Sequence, residues 1–263
     1  MPTDSRAVAI IPARWASSRF PGKPLAKIRN KPMIQWVVEQ AQKASRISEV
    51  LVATDDLRIF DTVTGFGGKA VMTSPDHETG TDRIAEVASG LNCGIVVNVQ
   101  GDEPLIPPEN IDRVVRCLEE DTARDVATLM MAVHDPDEIS DPNVVKVVTD
   151  HTGKALYFSR SPIPFHRDAW KRGTPEDIFK SREPGLTHVF KHIGLYAYRK
   201  SFLLELSCMP VTPLEQLEKL EQLRVLELGY SIQVEITEQV SLGVDCIEDL
   251  ERVEHFLEKR ETA

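Results

Sequence analysis

Apolar residues along the first half of the chain fall in short runs that alternate between two spacings. Ala7 to Ile11 is an unbroken apolar run and predicts a buried strand. Met33, Ile34, Val37, Val38 and Ala41 then recur at helical spacing, and Glu49 to Thr54 returns to strand composition. Leu57, Phe60 and Val63 predict a helix closed by Gly67 and Gly68, followed by a strand over Lys69 to Met72, a helix over Thr81 to Leu91 and a strand over Ile95 to Gln100. Such alternation is the pattern of a sheet with helices on both faces. In open α/β sheets ligands gather beyond the carboxyl ends of the strands, which directs attention to the residues after Ile11, Thr54, Met72 and Gln100.

From about Ala127 the pattern changes to consecutive strands, Ala127 to Val133, Val144 to Thr149 and Ala155 to Ser159, then a charged, proline-containing loop from Ser161 to Leu186. A second lobe is expected to begin here. His188 to Tyr198 alternates like a strand and sets His188, Phe190, His192, Gly194, Tyr196 and Tyr198 on one face, with His188 read as structural. Leu214, Leu217, Leu220 and Leu223 predict one long helix running to about Leu228 and stopping at Gly229. Glu218, Glu221 and Gln222 lie off that stripe, Glu218 as a solvated or interface residue. Ser231 to Ile236 predicts a returning strand, and Ile247 to Lys259 a terminal helix.

Charge changes the picture in one place. A formal net charge of −10 argues against a surface that gathers nucleic acid. Yet Arg14, Arg19, Lys23, Lys27, Arg29 and Lys31 crowd one short segment, where a polyanionic small ligand would be met. The four cysteines, Cys93, Cys117, Cys208 and Cys246, form no C-x-x-C pair and fit a reduced, cytoplasmic protein. No stretch approaches the ~20 apolar residues of a spanning helix, so membrane insertion is not expected.

The loop from Ile11 to Leu25 has the chemistry to wrap a triphosphate: small residues and Gly22 admit backbone N–H groups, while Arg14, Arg19 and Lys23 supply charge. It is neither a Walker A loop nor a G-x-G-x-x-G fingerprint, which sets aside a Rossmann dehydrogenase. The same loop is equally well read as a basic surface turn shaped by Pro12, Pro21 and Pro24. Asp102 follows a strand and Gly101 and is a hard oxygen ligand suited to Mg²⁺, or else a turn residue capping the next helix.

These segments carry a resemblance. The R-x-x-S-x-R-x-P-G-K-P-L form of the first loop, with VATDD (Val52 to Asp56), TGTDR (Thr79 to Arg83), NVQGDEP (Asn98 to Pro104), ALYFSR (Ala155 to Arg160), KHIGLYAYR (Lys191 to Arg199), LEKLEQLRVL (Leu217 to Leu226) and GVD followed by EDLERV (Gly243 to Val253), resembles the 3-deoxy-manno-octulosonate cytidylyltransferase family. Sialic-acid cytidylyltransferases resemble the chain in fold and reaction but differ in the first loop.

The resemblance implies an α/β fold, with a Rossmann-like mixed sheet of the nucleotide-diphospho-sugar transferase type and a smaller α+β lobe. Residues 1–134 and 213–263 would form the nucleotide-binding domain, and 135–212 a lobe for sugar binding and homodimer formation. It implies CTP and the acidic sugar 3-deoxy-D-manno-octulosonate (Kdo) as substrates and Mg²⁺ held by Asp102 and Asp245. Arg14 and Lys23 would neutralise the leaving pyrophosphate. Ala13, Ser18, Thr54, Asp55, Thr79, Gly80, Thr81, Arg83 and Gln100 would complete the nucleotide site, and Gln100, Arg160, His192, Tyr196, Glu221 and Gln222 would bind the sugar, with Arg160 as the bidentate partner of its carboxylate. One position departs from the family's pattern: Cys246 and Ile247 stand where it commonly has Thr-Pro before Glu-Asp, which leaves Asp245 readable as a helix cap.

Overall fold

The computed structural model describes residues 6–16, 20–167 and 189–261. The chain divides into two compact units: Met1–Glu120 with Leu195–Cys208 and Gln239–Ala263, and Asp121–Gly194 with Met209–Glu238. The second unit opens at Asp121, ahead of the boundary at 135 that the sequence suggests. It also recruits Met209–Glu238, because Ile232–Ile236 pairs in parallel with Val126–Ala132.

In the first unit, β1 (Ala7–Ala13), the antiparallel pair β2 (Lys27–Ile28) and β3 (Lys31–Pro32), α1 (Met33–Ala41), β4 (Ile47–Thr54), α2 (Leu57–Gly65), β5 (Lys69–Met72), α3 (Gly80–Ser89), β6 (Ile95–Asn98) and α4 (Pro108–Glu120) follow in order. Strands β6, β1, β4 and β5 lie side by side and parallel, in that order. Residues Tyr196–Arg199 run antiparallel along β6, which makes the sheet mixed. The unbroken apolar run of β1 is explained by its central place, where Ala7 through Ile11 are all buried. β1 runs past Ile11 to Ala13, which pairs with Thr54 of β4, so the basic loop leaves the sheet beside the end of β4. A cluster of Ile28, Met33, Leu105, Val244 and Val253 seats the C-terminal helix, Glu248–Glu261, against this unit.

In the second unit, β7 (Val126–Ala132) pairs with β11 (Ile232–Ile236), while β8 (Lys146–Thr149) pairs antiparallel with β9 (Ala155–Ser159) and with the start of β10 (Phe190–Arg199). His188, together with much of the loop from Ser161 to Leu186, lies outside the described residues.

The expected long leucine helix does not form. Two short helices, Pro213–Glu218 and Gln222–Glu227, meet at Lys219, whose φ of 54° is left-handed. The cause is long-range: Arg160 draws the carbonyls of Glu218 and Lys219 away from helical bonding, with Nε–O 2.7 Å and Nη2–O 3.4 Å. Leu217 is consequently 80% exposed, and the buried face is formed by Leu220, Leu223 and an Arg224–Glu215 ion pair (Nε–Oε2 2.8 Å, Nη2–Oε1 2.6 Å).

Candidate active site

A cavity of about 300 Å³ opens at the carboxyl ends of β1 and β6, lined by Pro12, Ala13, Arg14, Lys23, Pro24, His77, Thr79, Gly80, Arg83, Gln100, Gly101, Asp102 and Asp245. Local chemistry explains several of these placements. Gly101 lies so near β1 that an added Cβ would stand 2.9 Å from the Pro12 carbonyl oxygen, so a side chain there would push Asp102 off its strand end. Thr79 caps α3 by accepting from the Asp82 N–H (3.1 Å), which aims the positive end of that helix at the cavity.

Lys23 is the hub. Its ammonium donates to Asp102 Oδ2 (2.7 Å) and to the Val244 carbonyl (2.7 Å), and stands 3.6 Å from Asp245 Oδ1. Val244 is in turn tied to Asp102 by main chain, its N–H donating to the Asp102 carbonyl (2.9 Å). The Gly243–Asp245 segment is thereby docked on the loop after β6, and two carboxylates face one cation.

Asp249, in the first turn of the C-terminal helix, fastens the segment that enters that helix: its Oδ2 accepts from the N–H of Asp245 (2.7 Å) and of Cys246 (3.0 Å). Those hydrogen bonds, acting against burial, hold the Asp249 carboxyl below the usual range. The Asp245 side chain, 64% exposed, is left at the cavity.

Of the remaining nucleotide candidates, Ala13, Arg14, Thr79, Gly80, Arg83 and Gln100 join the cavity wall. Thr54 and Thr81 are buried, and Asp55 is held by Arg83, whose Nη2 donates to its Oδ2 (2.9 Å). Ser18 and Arg19 lie outside the described residues. His77, which the sequence reading passed over, also lines the cavity and is paired with Glu86. Glu103 was likewise passed over: burial, reinforced by the Asp102 charge, pushes its carboxyl up to about 7 against a 2.9 Å hydrogen bond from Ser241.

The sugar candidates divide between the units, Gln100 and Tyr196 in the first and Arg160, His192, Glu221 and Gln222 in the second. Arg160 is a carbonyl clamp as well as a cation, donating to Glu218 O and to Pro142 O (2.8 Å). Glu218, half-buried, accepts from Ser159 Oγ (2.6 Å) and Arg160 N (3.0 Å). Fully buried Lys146 fixes the same turn by donating to the carbonyls of Asp141 and Val144, and burial holds its pKa down. Burial lowers His192 to about 3, so it is neutral at physiological pH. Its Nε2 is 3.0 Å from Thr128 Oγ1, and because that hydroxyl donates to the Ile193 carbonyl (3.2 Å), the imidazole is left to donate from Nε2. Tyr196 stacks on Tyr198 (centroids 5.7 Å apart), while Glu221 and Gln222 open the second short helix.

Residues 8–236 match a family model described as cytidylyltransferase. A 3-deoxy-manno-octulosonate cytidylyltransferase of Syntrophotalea carbinolica is 56% identical over 95% of this chain and 97% of its own length. One from Geobacter sulfurreducens is 55% identical over 93% and 96%. This chain belongs to the 3-deoxy-manno-octulosonate cytidylyltransferase family. A solved family structure, a CMP:2-keto-3-deoxy-manno-octonic acid synthetase complexed with CTP, superposes with a TM-score of 0.87 at 42% identity, covering 97% of this chain and 99% of that one. The fold reaches further than the family: a 4-diphosphocytidyl-2C-methyl-D-erythritol synthase from Anaerococcus prevotii, 13% identical, still superposes at 0.61 over 97% of this chain and 100% of its own.

Proposed function

We propose that this chain transfers CMP from CTP to the anomeric hydroxyl of Kdo, releasing pyrophosphate, and so supplies activated Kdo for lipopolysaccharide biosynthesis. The observation that carries the reading is the cavity at the carboxyl ends of β1 and β6, in which Arg14, Lys23, Asp102, Asp245 and the start of α3 converge, in a chain of this family.

The residues suit their parts. Triphosphate needs cations and N–H donors, and Arg14, Lys23, Arg83 and the first turn of α3 offer both. Lys23, held between two carboxylates, exchanges that partnership for the triphosphate and then neutralises the departing pyrophosphate. Among the described residues no group of three or more His, Cys, Asp or Glu is arranged to hold a metal alone. Two carboxylates beside a phosphate site fit Mg²⁺ nonetheless, because Mg²⁺ is usually held by one or two carboxylates with substrate phosphates and water completing its shell. Asp102 and Asp245 would hold it. Once bound it would stabilise charge on the α-phosphate and acidify the attacking hydroxyl.

On the sugar side, Arg160 supplies the fixed charge for the carboxylate, and neutral His192, whose Nε2–H is committed to Thr128, adds no second cation. Gln100, Tyr196, Glu221 and Gln222 complete that set. A homodimer built through the second unit and a cytoplasmic location, where CTP is available and free thiols persist, belong to the same proposal. The test is a pyrophosphate-release screen of CTP, UTP, ATP and GTP against Kdo and other acidic sugars, with and without EDTA. Turnover confined to CTP with Kdo and abolished by EDTA is the expected result. Equal turnover with a purine triphosphate, or activity surviving chelation, would overturn it.

A further inference from the structure

The two cations that the basic loop delivers to the cavity, Arg14 and Lys23, are nine positions apart, and something must fold the chain back between them. Trp15 and Gly22 close that fold. The Gly22 N–H donates to the Trp15 carbonyl (3.0 Å), and Gly22 has a φ of 72°, a left-handed conformation that favours glycine. The Trp15 ring lies directly against it. A Cβ on Gly22 would stand 2.8 Å from Trp15 Cη2, so both backbone conformation and space require glycine. Lys23 then begins a short turn in which the Leu25 N–H donates to the Gly22 carbonyl (2.9 Å).

The face of the same ring carries a cation. The Arg58 guanidinium carbon lies 3.3 Å from the Trp15 ring centroid. Its orientation is set by Asp56, which accepts from Nε at 2.9 Å and from Nη2 at 2.6 Å, a bidentate pair that holds the guanidinium plane. Asp56 also caps α2 by accepting from the Arg58 N–H (2.9 Å), and it stands two residues beyond Thr54, the β4 residue in register with Ala13. Both feet of the assembly therefore rest on the sheet: the loop leaves at Ala13 and the anchor at Asp56.

We propose that Trp15, Arg58 and Asp56 are positioning residues for nucleotide binding, a stacked clamp that presets Arg14 and Lys23 to receive the triphosphate. The proposal rests on the function proposed above and deepens it. None of the three lines the cavity, so they act through the loop. An unclamped loop must be ordered by the nucleotide itself, and that ordering cost falls on CTP affinity. A cation stacked on a half-buried aromatic ring and an ion pair whose arginine side chain is 56% exposed each contribute little to global stability, so affinity should move while folding does not.

The experiment uses the full chain with Arg58→Met, Trp15→Leu, the double variant and Trp15→Phe. CTP affinity is measured by calorimetry, KM for CTP and for Kdo by pyrophosphate release, and Tm by thermal denaturation. Arg58→Met and Trp15→Leu should each weaken CTP binding by about tenfold, leaving KM for Kdo within about twofold and Tm within about 2 °C. The double variant should be no worse than either single, because either loss opens the whole clamp. Trp15→Phe should restore most of the affinity. Unchanged CTP affinity in both single variants, multiplicative losses in the double, or a fall in both substrates' affinities that tracks a fall in Tm would overturn the proposal. Failure of the wild-type chain to bind CTP would instead sink the assigned function, and that control separates the two.

Discussion

Lys23→Met keeps the length of the stem and removes only the charge that two carboxylates share. In the wild type the ammonium, 14% exposed, faces Asp102 at 2.7 Å and Asp245 at 3.6 Å. At an effective dielectric near 20, charges 2.7 Å apart attract by about 6 kcal/mol before desolvation. Asp102 is 35% exposed and Asp245 64%, so solvent screening and desolvation reduce the net worth of the hub to about 1–3 kcal/mol, nearly all of it with Asp102. The ligand-free variant should therefore melt roughly 3–8 °C lower. Its two carboxylates, relieved of their cation, should bind Mn²⁺, a spectroscopic stand-in for Mg²⁺, more tightly by about tenfold or more in the absence of nucleotide. Turnover should nonetheless fall by about 10²–10³, since no cation at this position then meets the leaving pyrophosphate. Calorimetry, Mn²⁺ titration followed by electron paramagnetic resonance, and pyrophosphate release read the three effects. Mn²⁺ binding no tighter than in the wild type would refute the reasoning, because it would mean that Lys23 does not compete with metal for these carboxylates.

Asp245→Asn should depress kcat at unchanged Tm, whereas Asp249→Ala should cost about 1 kcal/mol of stability by leaving the N–H groups of Asp245 and Cys246 without their acceptor, a contrast that melting curves with steady-state assays will check. Arg224→Met leaves Glu215 buried without its partner and should cost about 3–5 kcal/mol in denaturant unfolding, most of it regained in Arg224→Met with Glu215→Leu. His192 is depressed from 6.5 to about 3, so the native state takes up its proton later than the unfolded chain as pH falls. Stability from this group is complete above about pH 6.5 and is lost toward pH 3, by up to about 1.4 kcal/mol per pH unit. Urea unfolding between pH 7 and 4 should show a shallower decline in His192→Asn, and an identical slope would count against a buried neutral imidazole.

What the linear sequence determined is local. Apolar periodicity located the strands of the first unit, with Lys69–Met72 recovered to the residue, as was Ala155–Ser159 in the second; the unbroken run of β1 is the plainest signal, because a central strand buried on both faces is apolar throughout. Motifs at strand ends named Arg14, Lys23, Gln100 and Asp102, since in such a sheet ligand chemistry lies where strands stop. What spacing could not reveal depended on partners distant in the chain. Leucine periodicity predicts one helix where Arg160, 58 positions from Glu218, takes the carbonyls and breaks it in two. Lys23 meets the Val244 carbonyl across 221 positions, a contact that no window of sequence contains. His77 carries no distinguishing local signal, and only the course of the loop into α3 brings it to the cavity. Side-chain pattern sets which segments bury their faces, but backbone carbonyls and carboxylates are shared out only after the segments have packed, when each polar group takes whichever partner the fold has brought within reach.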